Sequence, residues 1–169
     1  MISVREAISW KLYKEAWIKG MKHIHWFNED IPFDYNKDEE LLELKQDFSN
    51  SQNLFLEAIT KNEEIQGVLG IRIRNNIASF RRWEPAIPKV NQDKEIGNIL
   101  IKEGITSLKN KGIKEVNCML KYPFNFPEFA ICHNDLYKDV GFKKRKVDGV
   151  SLLLNLSNKH KSKRRIQTS

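Results

Sequence analysis

Cysteine, proline and glycine are scarce, with 2, 5 and 8 among 169 residues. Cys118 and Cys132 are too few for a disulfide framework and stand at no metal-ligand spacing, so both read as small buried hydrophobes. His23 and His25 are two apart and do not share a helix face, so no metal site is expected. With nine Phe and four Trp, low Gly and Pro content argues against a low-complexity chain. No stretch approaches the ~18 consecutive apolar residues of a membrane helix. The opening Met1–Glu6 has neither a basic n-region nor an apolar h-region, so no secretory signal is read and a cytoplasmic location is expected. The length suits one domain.

Charge is present in excess of one sign. Lys and Arg number 29 against 22 Asp and Glu, a formal +7. Lys159, Lys161, Lys163, Arg164 and Arg165 fall in the acid-free stretch 157–169, and without those five the remainder carries only +2. Residues 1–156 are therefore expected to form the domain and 157–169 a basic, disordered tail. Such a tail is either a solvated charge run or a contact for nucleic acid. The cluster Lys143–Lys146 extends that patch or forms the polar face of a strand. Residues 28–40 carry six acids against one Lys and read as a solvated loop or as an attractant for a cationic amine.

Hydrophobic spacing sets out the elements. A strand is expected over Ile2–Ile8 and a helix from Ser9, a suitable N-cap, with Trp10, Tyr13, Trp17, Met21 and Ile24 on its inner face. After the break at Pro32, Leu41, Leu42, Leu44 and Phe48 mark a second helix. Leu54, Leu56 and Ala58 alternate in one strand and Leu69, Ile71 and Ile73 in the next. Asn75-Asn76 suits a tight hairpin into a third strand, Ile77–Trp83, ending at Glu84-Pro85. Ile96, Leu100, Gly104 and Leu108 form an i, i+4, i+8, i+12 row in a helix over 92–111, closed by Gly112. Val116, Cys118 and Leu120 alternate in a further strand. Pro123 and Pro127 bracket a loop, a short helix follows over Phe129–Asp139, and Val150, Leu152, Leu154 and Leu156 mark the last strand. That order implies an α/β (α+β) domain, a mixed sheet with helices on both faces. The last strand, rich in Leu, either pairs across a homodimer or lies inside the sheet.

Two segments carry chemistry. Gln92, Asp93, Lys94, Glu95, Ile96, Gly97 and Asn98 follow a strand and open a helix, whose free N–H groups and positive dipole end suit phosphate. Gly97 admits close approach of a ligand or serves as a helix-packing glycine. Leu136-Tyr137-Lys138-Asp139-Val140-Gly141-Phe142 ends the short helix about forty residues later. Together they resemble the GCN5-related N-acetyltransferases, whose acetyl-CoA loop reads Gln/Arg-x-x-Gly-x-Gly/Ala and whose later helix ends Leu-Tyr-x-x-x-Gly-Phe. Gln92 and Gly97 match the first pattern; Leu136, Tyr137, Gly141 and Phe142 match the second. Glu95 stands at the family's first Gly, and Ala130 and His133 replace its usual Asn and Ala. Asn134 and Asn125 are candidates for the missing Asn contact.

The resemblance covers residues 1–156 and implies a mostly antiparallel GNAT-like sheet, acetyl-CoA as co-substrate and an amine acceptor. It implies a V-shaped slot where the strand ending near Trp83–Glu84 splays from the Val116–Leu120 strand. Glu84 is expected as the general base, against a reading as a solvated strand-end acid. Tyr137 is expected to protonate the departing thiolate, against a reading as a packed aromatic. The departures at Glu95, Ala130 and His133 motivate a competing reading: a GNAT-fold binding module that has lost its chemistry and contacts nucleic acid through its tail.

Overall fold

The computed structural model describes residues 1–21, 37–81, 84–88, 94–119, 137–144 and 151–156. In chain order its elements are β1 (Ser3–Glu6), α1 (Trp10–Met21), α2 (Lys37–Ser49), β2 (Leu54–Ile59), β3 (Ile65–Arg74), β4 (Ile77–Phe80), α3 (Lys94–Asn110), β5 (Glu115–Met119), β6 (Lys143–Lys144) and β7 (Ser151–Asn155). The seven strands form one sheet in the order β1-β2-β3-β4-β5-β7-β6. Only β4 and β5 run parallel; every other neighbouring pair is antiparallel. The mixed, mostly antiparallel sheet is the expected one.

Local signals in the sequence explain most boundaries. Ser9 caps α1, its hydroxyl accepting from the Leu12 amide at 3.3 Å. Asn75 and Asn76 turn β3 into β4 at φ 51° and 65°, the two left-handed residues a tight hairpin needs. Gly112, at φ 76°, ends α3 with a paired cap. Its amide donates to Lys109 O and the Ile113 amide to Leu108 O, both at 3.0 Å. Asp38, Glu39 and Glu40 occupy the first turn of α2, where they complement the helix dipole. The break read over 28–40 therefore ends at Lys37; residues 22–36, with His23, His25 and Ile24, lie outside the described residues.

Both faces of the central strands are covered. Leu54, Leu56 and Ala58 of β2 and Leu69 and Ile71 of β3 pack with Ile96, Leu100, Ile101 and Leu108 of α3. The intervening Phe55 and Val68 point the other way, into a cluster with Tyr13, Trp17 and Met21 of α1 and Leu44 of α2. Of the apolar positions that mark α2, Leu44 is buried and Leu42 is 57% exposed. β7 lies between β5 and β6, so the internal reading of the Leu-rich strand is the one the sheet adopts. Lys143 and Lys144 form β6, the strand alternative for that basic cluster.

Candidate active site

The expected third strand is shorter than its hydrophobic run, and the reason defines the site. β4 stops at Phe80 because the chain then detours. The Arg81 amide donates to Gly70 O, and Ala86 exchanges both backbone hydrogen bonds with Val68. Four residues, 82–85, separate these points where β3 has only Leu69. The result is a wide bulge. The Arg81 and Glu84 side chains lie over Gly70, where a Cβ would come within 2.6 Å of Arg81 Cδ and 3.0 Å of Glu84 Oε1. The Glu84–Pro85 peptide is cis.

The bulge follows directly on the end of a ladder. The β4–β5 ladder ends at Ser79↔Asn117. Beyond it each strand keeps only its outer partner: Phe80 faces Ile71, while Cys118 and Met119 face Leu152 and Ser151. The family resemblance implies a slot between these same two strands. Asn117, the last β5 residue paired with β4, keeps a buried Oδ1 without a hydrogen-bond partner among the described residues, as does Asn98 in the second turn of α3. Buried acceptors left unpaired are costly.

Tyr137 packs against Phe80, one residue past the last β4–β5 pair. It belongs to the helical residues Tyr137–Asp139, which end at Gly141 with φ 101°. The Gly141 amide donates to Lys138 O and the Phe142 amide to Tyr137 O, both at 3.0 Å. This is the same paired cap that closes α3. The motif Tyr-x-x-x-Gly-Phe is thus a helix stop in physical terms: Gly141 takes the left-handed position, and Tyr137 and Phe142 meet across the cap at 5.8 Å between centroids. Phe80 packs on both, at 6.3 and 5.6 Å. Tyr137 is fully buried, and its hydroxyl donates to the carbonyl of Glu84 at 3.2 Å.

Glu84 is not a solvated acid. Its side chain is 1% exposed; Oε1 accepts from the Tyr13 hydroxyl and Oε2 from Arg81 Nε at 2.6 Å. Arg81 Nη1 reaches Asp47 of α2, which also takes Arg72 Nε at 2.8 Å and Nη2 at 2.7 Å; Arg72 continues to Glu43. Burial, reinforced by the Glu84 charge and hydrogen bond, holds the Tyr13 hydroxyl well above the usual tyrosine range, so it stays protonated. On the neighbouring strand, burial pushes the Glu57 carboxyl up while Arg5 draws it down.

Sequence reasoning singled out Glu84 and Tyr137 but missed Tyr13 as a polar partner, Asp47, Arg72, Arg81 and Gly70. An available signal was Arg81 three residues before a Glu-Pro pair. Another was Asp47 in the last turn of α2, where the helix dipole disfavours a carboxylate. In the expected cofactor loop, α3 begins at Lys94, with Glu95 exposed, Ile96 and Gly97 buried and Asn98 half-buried. The Glu95 side chain is therefore solvated. Gln92, Asp93, Asn125, Ala130, Cys132, His133 and Asn134 lie outside the described residues, as do Trp83 and the tail 157–169.

Solved structures place this arrangement among known folds. An acetyltransferase of the GNAT family from Staphylococcus aureus Mu50 superposes with a TM-score of 0.70 at 20% identity, over 92% of this chain and 99% of that one. The PaiA N-acetyltransferase of Thermoplasma acidophilum, in complex with coenzyme A, gives 0.67 at 23% identity over 92% and 99%. A GCN5-related N-acetyltransferase from Kribbella flavida gives 0.66 at 15% over 92% and 98%. No protein-family model and no curated protein matches the sequence. The chain has the GNAT fold.

Proposed function

We propose that the protein is an acyl-CoA-dependent N-acyltransferase that moves acetyl from acetyl-CoA to a primary amine within a ternary complex. The carrying observation is the Tyr137 hydroxyl donating to Glu84 O close to the end of the β4–β5 ladder at Ser79↔Asn117. Acetyl-CoA, bound, supplies an acetyl group already activated as a thioester. The α3 N-terminus from Lys94 to Gly97, together with Gln92 and Asp93 before it, would take the pyrophosphate on backbone N–H groups. Asn98 and Asn134 would add side-chain contacts, and Asn117 Oδ1 would accept from an amide of the pantetheine arm.

Backbone N–H groups along the open edge of β4 would stabilise charge on the carbonyl oxygen, and one such donor is worth about 2.7–4 kcal/mol of barrier. Tyr137 keeps its proton on Glu84 O at rest and passes it to the departing sulfur. Glu84 contributes in one of two ways: its carboxylate takes the amine's proton, directly or through a water, when Tyr13 or Arg81 releases an oxygen, or it only holds Tyr137 through its carbonyl while the amine's proton leaves to water. In both cases water then returns a proton to the Tyr137 phenolate. Glu84→Gln separates them. Loss of a base lowers kcat on the order of 10²-fold or more, whereas a carbonyl role leaves kcat nearly unchanged.

Thermal unfolding with and without millimolar acetyl-CoA is the first test. Ligand at ~100 times its Kd adds roughly 2.7 kcal/mol to the folded state; an unchanged melting temperature would remove the cofactor site. Tyr137→Phe is expected to lower kcat on the order of 10²-fold with acetyl-CoA affinity within twofold. Equal turnover in both proteins would take Tyr137 out of the mechanism.

A further inference from the structure

Asp47 sits where helix energetics disfavour it. It occupies the last turn of α2, a turn with no basic residue to offset the negative end of the helix dipole. What holds it is tertiary: Arg72 grips it through Nε and Nη2, and Arg81 reaches it from the bulge. Arg81 is planar, so the Nη1 that meets Asp47 and the Nε that meets Glu84 Oε2 move as one rigid fork. Glu84 in turn presents its carbonyl to the Tyr137 hydroxyl at 3.2 Å, near the long end of a hydrogen bond and sensitive to small displacements. Buried ion pairs are poor stabilisers compared with apolar packing of the same volume. A chain of them from α2 to the residue that holds the Tyr137 hydroxyl thus wants a reason other than stability.

We propose that Asp47 is a positioning residue: by bridging Arg72 and Arg81 it fixes the bulge segment whose Glu84 carbonyl receives the Tyr137 hydroxyl. The inference rests on the transfer reading above and extends it from Tyr137 to α2. It does not touch substrate; it acts through Arg81 and Glu84.

The test pairs Asp47→Asn with Glu43→Gln, which removes the same charge from the same helix but meets only Arg72. Amide hydrogen exchange on the full chain reads the bulge directly. In Asp47→Asn the Glu84 and Ala86 amides, bonded to Arg81 O and Val68 O, should exchange at least tenfold faster, with Leu56 and Leu69 unchanged. Glu43→Gln should change them less than threefold. Wild-type exchange at Glu84 and Ala86, or equal acceleration across the whole sheet, would overturn the proposal. If Asp47→Asn does not fold, Arg81→Lys takes its place. A single ammonium cannot hold Asp47 and Glu84 together, so the same two amides must loosen.

Turnover supplies the second arm. Asp47→Asn should lower kcat about tenfold with acetyl-CoA affinity within twofold, and should have less than a twofold effect in a Tyr137→Phe background. An equal loss in both backgrounds overturns the role of Asp47 alone. Failure of the wild-type chain to bind acetyl-CoA overturns the transfer reading and the positioning role with it.

Discussion

On the α3 side of the sheet, Ile96, Leu100, Ile101 and Leu108 meet Leu54, Leu56, Leu69 and Ile71, apolar against apolar. On the α1–α2 side, Tyr13, Phe48 and Phe55 stack within 5.1–5.4 Å of one another, beside Glu57, Arg81 and Glu84, the buried charged residues among those described. The first side is held by area removed from water and tolerates hydrophobic exchange at constant volume. The second holds its geometry by directed bonds, each of which strands a buried group when its partner is lost. The directed side is the one that carries the bulge and, through Glu84, reaches the Tyr137 hydroxyl. A site needing fixed atoms is built where bonds have direction, and the apolar side serves as its foundation.

The sharpest way to break this comparison is to remove the centre of the charged side. Arg81→Met is close in size and leaves Asp47 and Glu84 without their shared cation. It should cost about 3–5 kcal/mol, the range for a buried pair that loses one member. Adding Glu84→Gln to it should restore part of that loss, because the stranded charge is gone. Urea unfolding of the two variants measures both. If Arg81→Met cost under 1 kcal/mol, the network would be a surface feature in energetic terms.

The apolar side answers to different arithmetic. Leu100→Ala removes a fully buried side chain from the face of α3 that meets β3 and should cost about 2–5 kcal/mol, according to how far the site collapses. Leu100→Met should cost under ~1.5 kcal/mol. No conservative exchange at Arg81 is expected to be so mild, since Lys reproduces its charge and not its fork.

The same contrast explains what could be read from the sequence. Repeats of apolar residues announced the α3 side: the row Ile96–Leu100–Gly104–Leu108, the alternation in β2 and β3, and the caps at Gly112 and Gly141 all follow from local spacing. The cap at Tyr137–Gly141–Phe142 was legible because a helix stop is written in consecutive residues. The charged side was not, since Tyr13, Asp47, Arg72 and Arg81 meet only after β3 and β4 pair and both helices dock. Ile77–Trp83 reads as one strand by hydrophobicity; only the pairing of Ala86 with Val68 reveals that the chain leaves the ladder after Arg81. Gly70, which makes room for that detour, carries no local signature at all.

The smallest effect tests the boundary between the two sides, at Tyr13, whose ring is apolar packing and whose hydroxyl is a directed bond to Glu84. Tyr13→Phe keeps the ring and leaves Glu84 Oε1 short of a donor, a loss of about 1–3 kcal/mol near neutral pH. The pH dependence has a definite sign. In the folded chain Tyr13 is held protonated well above its ordinary value of 10.0. Below pH ~10 neither folded nor unfolded chain ionises there, and the bond contributes in full. Above it the unfolded chain releases a proton that the folded chain retains, so the wild-type protein loses stability as pH rises. The Phe variant has no such loss at this position, and the other tyrosines cancel in the difference. The stability gap between the two, measured by urea unfolding at pH 8 and again above pH 10, should therefore narrow. A gap that stays constant would mean that Tyr13 titrates freely and that its hydroxyl belongs to neither the network nor the site.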